Sequence, residues 1–100
     1  MDIFETIRDL LKEPNAEYIS LKFYDDYNSL KQLRKISKLD FIESNETVLS
    51  YALLDLNSDV LILYSITLYD KAQFPIKVLY YDKSGNVTNS INMKEGQNYD

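Results

Sequence analysis

Residues 59–82 read DVLILYSITLYDKAQFPIKVLYYD. Two runs rich in leucine, isoleucine, valine and tyrosine, about Asp59–Tyr69 and Phe74–Asp82, flank the polar Asp70–Gln73. β-branched and aromatic residues suit the pleated surface of a strand, and two such runs joined by a short polar link form an antiparallel hairpin. In regular register Ile62, Tyr64, Ile66 and Leu68 face Phe74, Ile76, Val78 and Tyr80, with Leu61, Leu63, Leu79 and Tyr81 on the opposite side. Both sides of this hairpin are therefore apolar or aromatic at the centre.

Downstream, Lys83-Ser84-Gly85-Asn86 is a turn, with Gly85 available for positive φ. A more polar strand at Val87–Met93 follows, then a polar tail, Lys94–Asp100, expected to fray. Upstream, Thr47–Leu56 reads as a further strand, joined to the hairpin through Asn57-Ser58. Phe41 to Glu46 is a connection. Tyr27 to about Leu39 reads as a helix with Leu30, Leu33 and Ile36 inward and Lys31, Arg34, Lys35 and Lys38 mostly outward. Glu17 to Tyr24 alternates as a strand, with Ile19, Leu21 and Phe23 on one side. At the start, Asp2 and Glu5 have capping-box spacing. Ile3, Phe4, Ile7, Leu10 and Leu11 form one helical face that ends before Pro14.

The order α-β-α-β-β-β-β predicts one α+β domain over residues 1–93, followed by the tail 94–100. Two helices would pack on a mainly antiparallel sheet of about five strands. Ile7, Leu10, Ile62, Ile66 and Val78 are the expected core. Two helices cannot cover both sides of such a sheet, so part of it is expected to stay open and mark a partner site.

Composition removes several classes of chemistry. The chain has 100 residues, 45% hydrophobic, enough for one domain with its own core. It has no cysteine, hence no disulfide or thiolate chemistry, and no histidine, the usual general base and commonest metal ligand. The glycines are Gly85 and Gly96, so no phosphate-cradling loop exists. No signal peptide or membrane span is evident, and cytoplasm is the expected location. No catalytic apparatus, cofactor or metal is expected.

Net charge is −5, with 16 acids against 11 bases. That balance disfavours nucleic acid as a direct ligand and favours basic partners. Residues 39–70 hold Asp40, Glu43, Glu46, Asp55, Asp59 and Asp70 and no base. Asp25-Asp26 is the one adjacent acidic pair, suited to a turn or helix cap. Asp55, Asp59, Asp70 and Asp82 lie at strand ends, as turn residues or as a shared acidic rim. The nine tyrosines suit either half-buried strand positions or an interface. Of them Tyr24, Tyr69 and Tyr81 fall on the sides expected to be wetter. The basic run Lys31–Lys38 reads as a solvated helix face.

Three segments carry a family resemblance: Asp59-Val60-Leu61-Ile62-Leu63, Phe74-Pro75-Ile76-Lys77-Val78-Leu79 and Tyr81-Asp82-Lys83-Ser84-Gly85-Asn86. With the α-β-α-β-β-β-β order, they resemble the phage uracil-DNA glycosylase inhibitors, small acidic proteins that mimic DNA and plug an enzyme's DNA-binding cleft. The likeness spans about residues 2–93 in topology and 47–93 in local texture. It implies that the first strand enters a cleft, with acids following it. Glu17, Tyr18, Ile19 and Ser20, then Asp25 and Asp26, stand at those places. The paired acids match the family, whereas its Glu-Ser-Ile order does not recur and its acidic second helix is basic here.

The expected function is that of a non-enzymatic protein-binding inhibitor of anti-defence, immunity or antitoxin type that blocks a nucleic-acid-acting enzyme. Glu17, Asp25, Asp26, Asp40, Glu43, Glu46 and Asp55 would supply the field, and Tyr24, Tyr69 and Tyr81 the anchors. The rival expectation is an assembly module that dimerises through its sheet, using Leu61, Leu63, Leu79 and Tyr81.

Overall fold

The structure is a computed structural model and describes residues 2–43 and 47–93. The chain is α+β, with three helices and six strands among the described residues: α1 (Ile3–Leu10), β1 (Tyr18–Tyr24), β2 (Leu30–Gln32), β3 (Ile36–Ser37), α2 (Lys38–Glu43), α3 (Thr47–Asp55), β4 (Ile62–Tyr69), β5 (Pro75–Tyr81) and β6 (Val87–Asn92). The strands form one antiparallel sheet in the order β2-β1-β4-β5-β6, with β3 also paired to β1. The expected tail 94–100 lies outside the described residues.

The α+β class agrees with the sequence, but two elements do not. The expected helix at 27–39 is instead the two short strands β2 and β3, with α2 starting only at Lys38. In a regular strand, residues three apart point to opposite sides. Here Lys22 pairs with Gln32 while Ile19 pairs with Ile36, a slip of one residue between the two pieces. The slip turns both Leu33 and Ile36 into the core, each 1% exposed. A broken strand thus reproduces the three-residue spacing of a helix, while Leu30, expected to face inward, is exposed.

The second correction is α3, expected as a strand. Leu49, Ala52, Leu53 and Leu56 recur at helical spacing, and all four are buried in or packed against the core. Leucine and alanine are strong helix formers and outweigh the β-branched Thr47 and Val48. Asn57, at φ 52°, follows the helix in the left-handed conformation that ends helices, so Asn57-Ser58 is not a hairpin turn. Side chains open the other helices. Asp2 Oδ1 accepts the N–H groups of Phe4 (3.0 Å) and Glu5 (3.3 Å) ahead of α1. Ser37 Oγ accepts that of Asp40 (3.1 Å) ahead of α2.

All three helices contribute to one core. Ile7 and Leu11, Phe41, and Leu49 and Ala52 meet Ile19, Leu21, Phe23, Ile66 and Leu68 on one side of the sheet. Of the five expected core residues, Ile7 and Ile66 are fully buried in this cluster and Leu10 packs against it. Ile62 is half-buried, and Val78 is buried outside the cluster. β-Bulges explain the difference. Lys22 pairs with Ser65 but Phe23 with Leu63, leaving Tyr64 as the extra residue. Leu68 pairs with Lys77 but Tyr69 with Pro75, leaving Ile76. An extra residue shifts the alternation, so the sides exchange beyond it. Leu63, Leu79 and Tyr81 consequently join the helix-covered side, and Tyr64 and Tyr80 face away from it.

Three hairpins close with the same five-residue loop, Asp25–Ser29, Asp70–Phe74 and Asp82–Asn86. In each, the aspartate N–H donates to the carbonyl of the fifth residue, and the N–H of the fourth returns to the aspartate carbonyl. The aspartate Oδ1 accepts the N–H of the fifth residue at 2.9 Å. The fourth residue has positive φ in every case: Asn28 62°, Gln73 69°, Gly85 89°. This is the three-residue hairpin connection, a turn followed by a left-handed residue.

Candidate functional site

The structure offers two surfaces, on opposite sides of the sheet. The first is the side without helices. It carries Tyr18 and Tyr24 from β1, Tyr64 and Tyr69 from β4 and Tyr80 from β5, all half-buried. Tyr24, Tyr64 and Tyr80 form a row across three neighbouring strands, with ring centroids 5.3 and 5.6 Å apart and planes at 69°. That edge-to-face geometry sets the positive rim of one ring against the negative face of the next. At the other end Tyr69 Oη and Ser20 Oγ share a hydrogen bond of 3.0 Å. Lys35 Nζ sits 4.1 Å from the Tyr69 ring centroid, and Lys83 Nζ 5.4 Å from that of Tyr24. Lys83 also donates to Asn28 Oδ1 at 3.3 Å, linking two of the hairpin loops.

The second surface is the outer side of the helical layer. Asp40, Glu43, Asp55 and Asp59 are exposed there or in the loop after α3. Leu39 and Ile42 on α2 are 62% and 63% exposed, and Tyr51 and Leu54 on α3 are 65% and 72% exposed. A surface helix ordinarily turns polar residues outward. α3 instead presents apolar side chains to the core and to solvent alike.

The expected anchors and acids do not share one surface. Tyr24 and Tyr69 lie on the helix-free side, whereas Tyr81 is buried in the core at 7% exposure, and desolvation pushes its phenol above the ordinary 10.0. The bulges that exchange the sides put it there. Asp40, Glu43 and Asp55 belong to the helical layer. Asp25 does not cap a helix. Its carboxylate is buried in the β1–β2 loop, where it accepts the N–H groups of Tyr27 and Ser29 at 2.9 Å. Glu17 and Asp26 are exposed, and Glu46 lies outside the described residues. In the β5–β6 loop the Asp82 carboxyl is held below its ordinary 3.8, first by the hydrogen bond from the Asn86 backbone; desolvation opposes this, and the Ser84 backbone adds to it.

The basic run is likewise not one helix face. Lys31 Nζ donates to the Leu56 carbonyl just past α3 at 2.9 Å, tying the edge strand to the helical layer. The four residues expected as a dimer surface serve the core: Leu63 and Tyr81 are buried in it, and Leu61 and Leu79 pack against it. Sequence reasoning missed Tyr64 and Tyr80 on the open side and Leu39, Ile42, Tyr51 and Leu54 on the helices. One signal was present, since adjacent Tyr80 and Tyr81 place a ring on each side of a strand in any register.

Among the described residues, no group of three or more Asp or Glu is placed to hold a metal ion, and no helix is long and apolar enough to cross a membrane. The chain has no significant match among protein-family models, curated proteins or solved structures.

Proposed function

We propose that this protein is a non-enzymatic, protein-binding inhibitor acting in the cytoplasm, of the anti-defence, immunity or antitoxin kind. It docks its α2–α3 layer on a basic surface of a nucleic-acid-acting enzyme, with acids standing where DNA phosphates would lie. The observation that carries this reading is the exposure of Leu39, Ile42, Tyr51 and Leu54 on helices that also bear Asp40, Glu43 and Asp55. Apolar anchors give an interface its short-range energy, and surrounding charge gives rate and selectivity.

The test uses the wild-type chain and two variants as baits in extracts of the native host. One variant is Tyr51→Asp with Leu54→Asp; the other is Glu43→Gln, Asp55→Asn and Asp59→Asn. The wild type is expected to capture a basic nucleic-acid enzyme and inhibit it at a one-to-one ratio. The apolar variant should lose capture, and the acid-neutral variant should associate more slowly at low salt. Failure of the wild type to inhibit any captured nucleic-acid enzyme overturns the proposal. Association of the acid-neutral variant at the wild-type rate overturns the mimicry of DNA.

The rival reading, a homodimer, is supported by β6, an edge strand whose six residues are all exposed. Unpaired strand edges template pairing with another chain. Sedimentation as a strict monomer at micromolar concentration would remove it.

A further inference from the structure

We infer that the helix-free side of the sheet binds single-stranded nucleic acid. This goes beyond the proposed inhibitor role and rests on a different surface. The chain's acidity is segregated by the fold: none of the six strands contains an acid. The acids nearest the sheet stand in its loops, at the strand ends, where Asp25 and Asp82 hold their carboxylates against backbone N–H groups. The cations on this side are Lys22, Lys35 and Lys83, all exposed, and the last two lie over tyrosine rings.

Shape and chemistry then select the ligand. The row Tyr24, Tyr64 and Tyr80 crosses three strands on the side opposite the helices, and no helix covers it. An antiparallel sheet with aromatic rings on its central strands and helices only behind offers unpaired bases rings to stack on. Lysines on the same side as the rings provide contacts for the phosphates between the bases. A duplex hides its base faces and cannot use the tyrosines. A peptide of acidic residues could use the lysines but has no aromatic rings to stack on the tyrosines. The overall charge of −5 opposes any polyanion at long range. Screening limits that repulsion to about 8 Å at physiological ionic strength, so the local surface decides.

The test is fluorescence anisotropy with a labelled oligothymidylate of about fifteen nucleotides, close to the site size of one such platform. Saturable binding is expected, tighter than to the matching duplex, whose bases are hidden in the stack. Three lysine contacts predict a slope of log affinity against log salt of about −2 for a single strand. Lys22→Gln, Lys35→Gln and Lys83→Gln together should bring that slope towards zero; all three residues are exposed, so the fold should survive. Tyr64→Ala should weaken binding by about tenfold, and Tyr64→Phe should retain it, because stacking needs the ring and not the hydroxyl. The proposal is overturned by no anisotropy change at about 100 µM protein, where even non-specific sites begin to fill. Equal affinity for the duplex also overturns it, as does an unchanged salt slope in the lysine variant. Competition by polyglutamate as strong as by unlabelled oligonucleotide overturns it too and assigns the surface to acidic peptides.

Discussion

Leu21 and Lys22 are neighbours in β1, yet they belong to different environments. Leu21 is 1% exposed among side chains from three helices, and Lys22 stands on the side that no helix covers. The same division runs through β4, where Ile66 is sealed and Thr67 half-buried, and through β5, where Tyr81 is buried and Tyr80 half-buried. The helix-covered side holds the chain folded. The other side is only partly buried, which leaves its exposed positions open to selection for contact. Its tyrosines and lysines, with no acid on any strand, contrast with a helical layer that carries exposed acids and exposed leucines.

The largest effect that tests this division comes from truncation across it. Leu21→Ala or Ile66→Ala should cost about 2–5 kcal/mol, from lost transfer energy and the cavity left behind. Against a total stability of roughly 5–15 kcal/mol, either is severe. Lys22→Ala should stay within about 0.5 kcal/mol, as surface substitutions do. Denaturant melts of the three variants decide the matter. A loss at Lys22 comparable to that at Leu21 would mean that both sides are packed, and the contrast would fail.

Tyr81 and its neighbour Tyr80 sharpen the contrast through pH. Burial raises the Tyr81 phenol above 10.0, because the ionised ring would sit in the core. A folded value above the unfolded one contributes stability that is fully present below pH 10 and lost as pH rises through the folded value. Wild-type stability should therefore decline on the alkaline side, and Tyr81→Phe should flatten that decline. Equal alkaline slopes for the two proteins would show that Tyr81 is not sealed.

Much of the sheet was legible from sequence because its hairpins obey local rules. β1, β4, β5 and β6 fall within a few residues of the expected strands, and α1 begins at the expected cap. The middle of the chain was not legible, for a physical reason in each case. A one-residue slip in the edge strand mimics helical spacing at Leu33 and Ile36. The α3 sequence mixes helix-forming leucines with Thr47, Val48 and Tyr51, which divides its local preference between helix and strand. Bulges at Tyr64 and Ile76 then exchanged the sides of the central hairpin, which is why Tyr81 lies in the core, whereas Tyr24 and Tyr69 keep the open side that plain alternation gives them. The acids were legible as charge, but only the fold shows that Asp40, Glu43 and Asp55 on the helices and Tyr24 and Tyr69 on the sheet face opposite ways.

The loops that hold the two sides in register give a smaller effect. Gln73 adopts φ 69°, a conformation that costs a residue with a Cβ roughly 1–2 kcal/mol. Part of that returns as glycine's entropy loss on folding, so Gln73→Gly should stabilise the fold by about 0.5 kcal/mol. Gly85→Ala, at φ 89° in the equivalent place, should destabilise it by about 1 kcal/mol. Opposite signs from two positions with the same geometry would establish that the loops are equivalent. The same sign for both would break the equivalence.

The smallest effect lies at Asp82, whose loop places Lys83 over the Tyr24 ring on the open side. The Asn86 backbone N–H holds the Asp82 carboxyl below 3.8, against desolvation and with help from Ser84. A folded value below the unfolded one contributes stability that is present above about pH 4 and lost as pH falls through the folded value. The side chain is fully exposed, so solvent screens the interaction and the change should be modest. Asp82→Asn keeps an acceptor oxygen but removes the charge. The wild type should therefore exceed this variant in stability at neutral pH, and the gap should close under acid. Melts between about pH 5 and pH 2 measure the gap where the linkage operates, and the carboxyl carbon shift of Asp82 reports the site itself. A gap that does not change across that range would mean that the loop is held by its backbone hydrogen bonds alone. Lys83 would then keep its place over Tyr24 whatever the charge of Asp82.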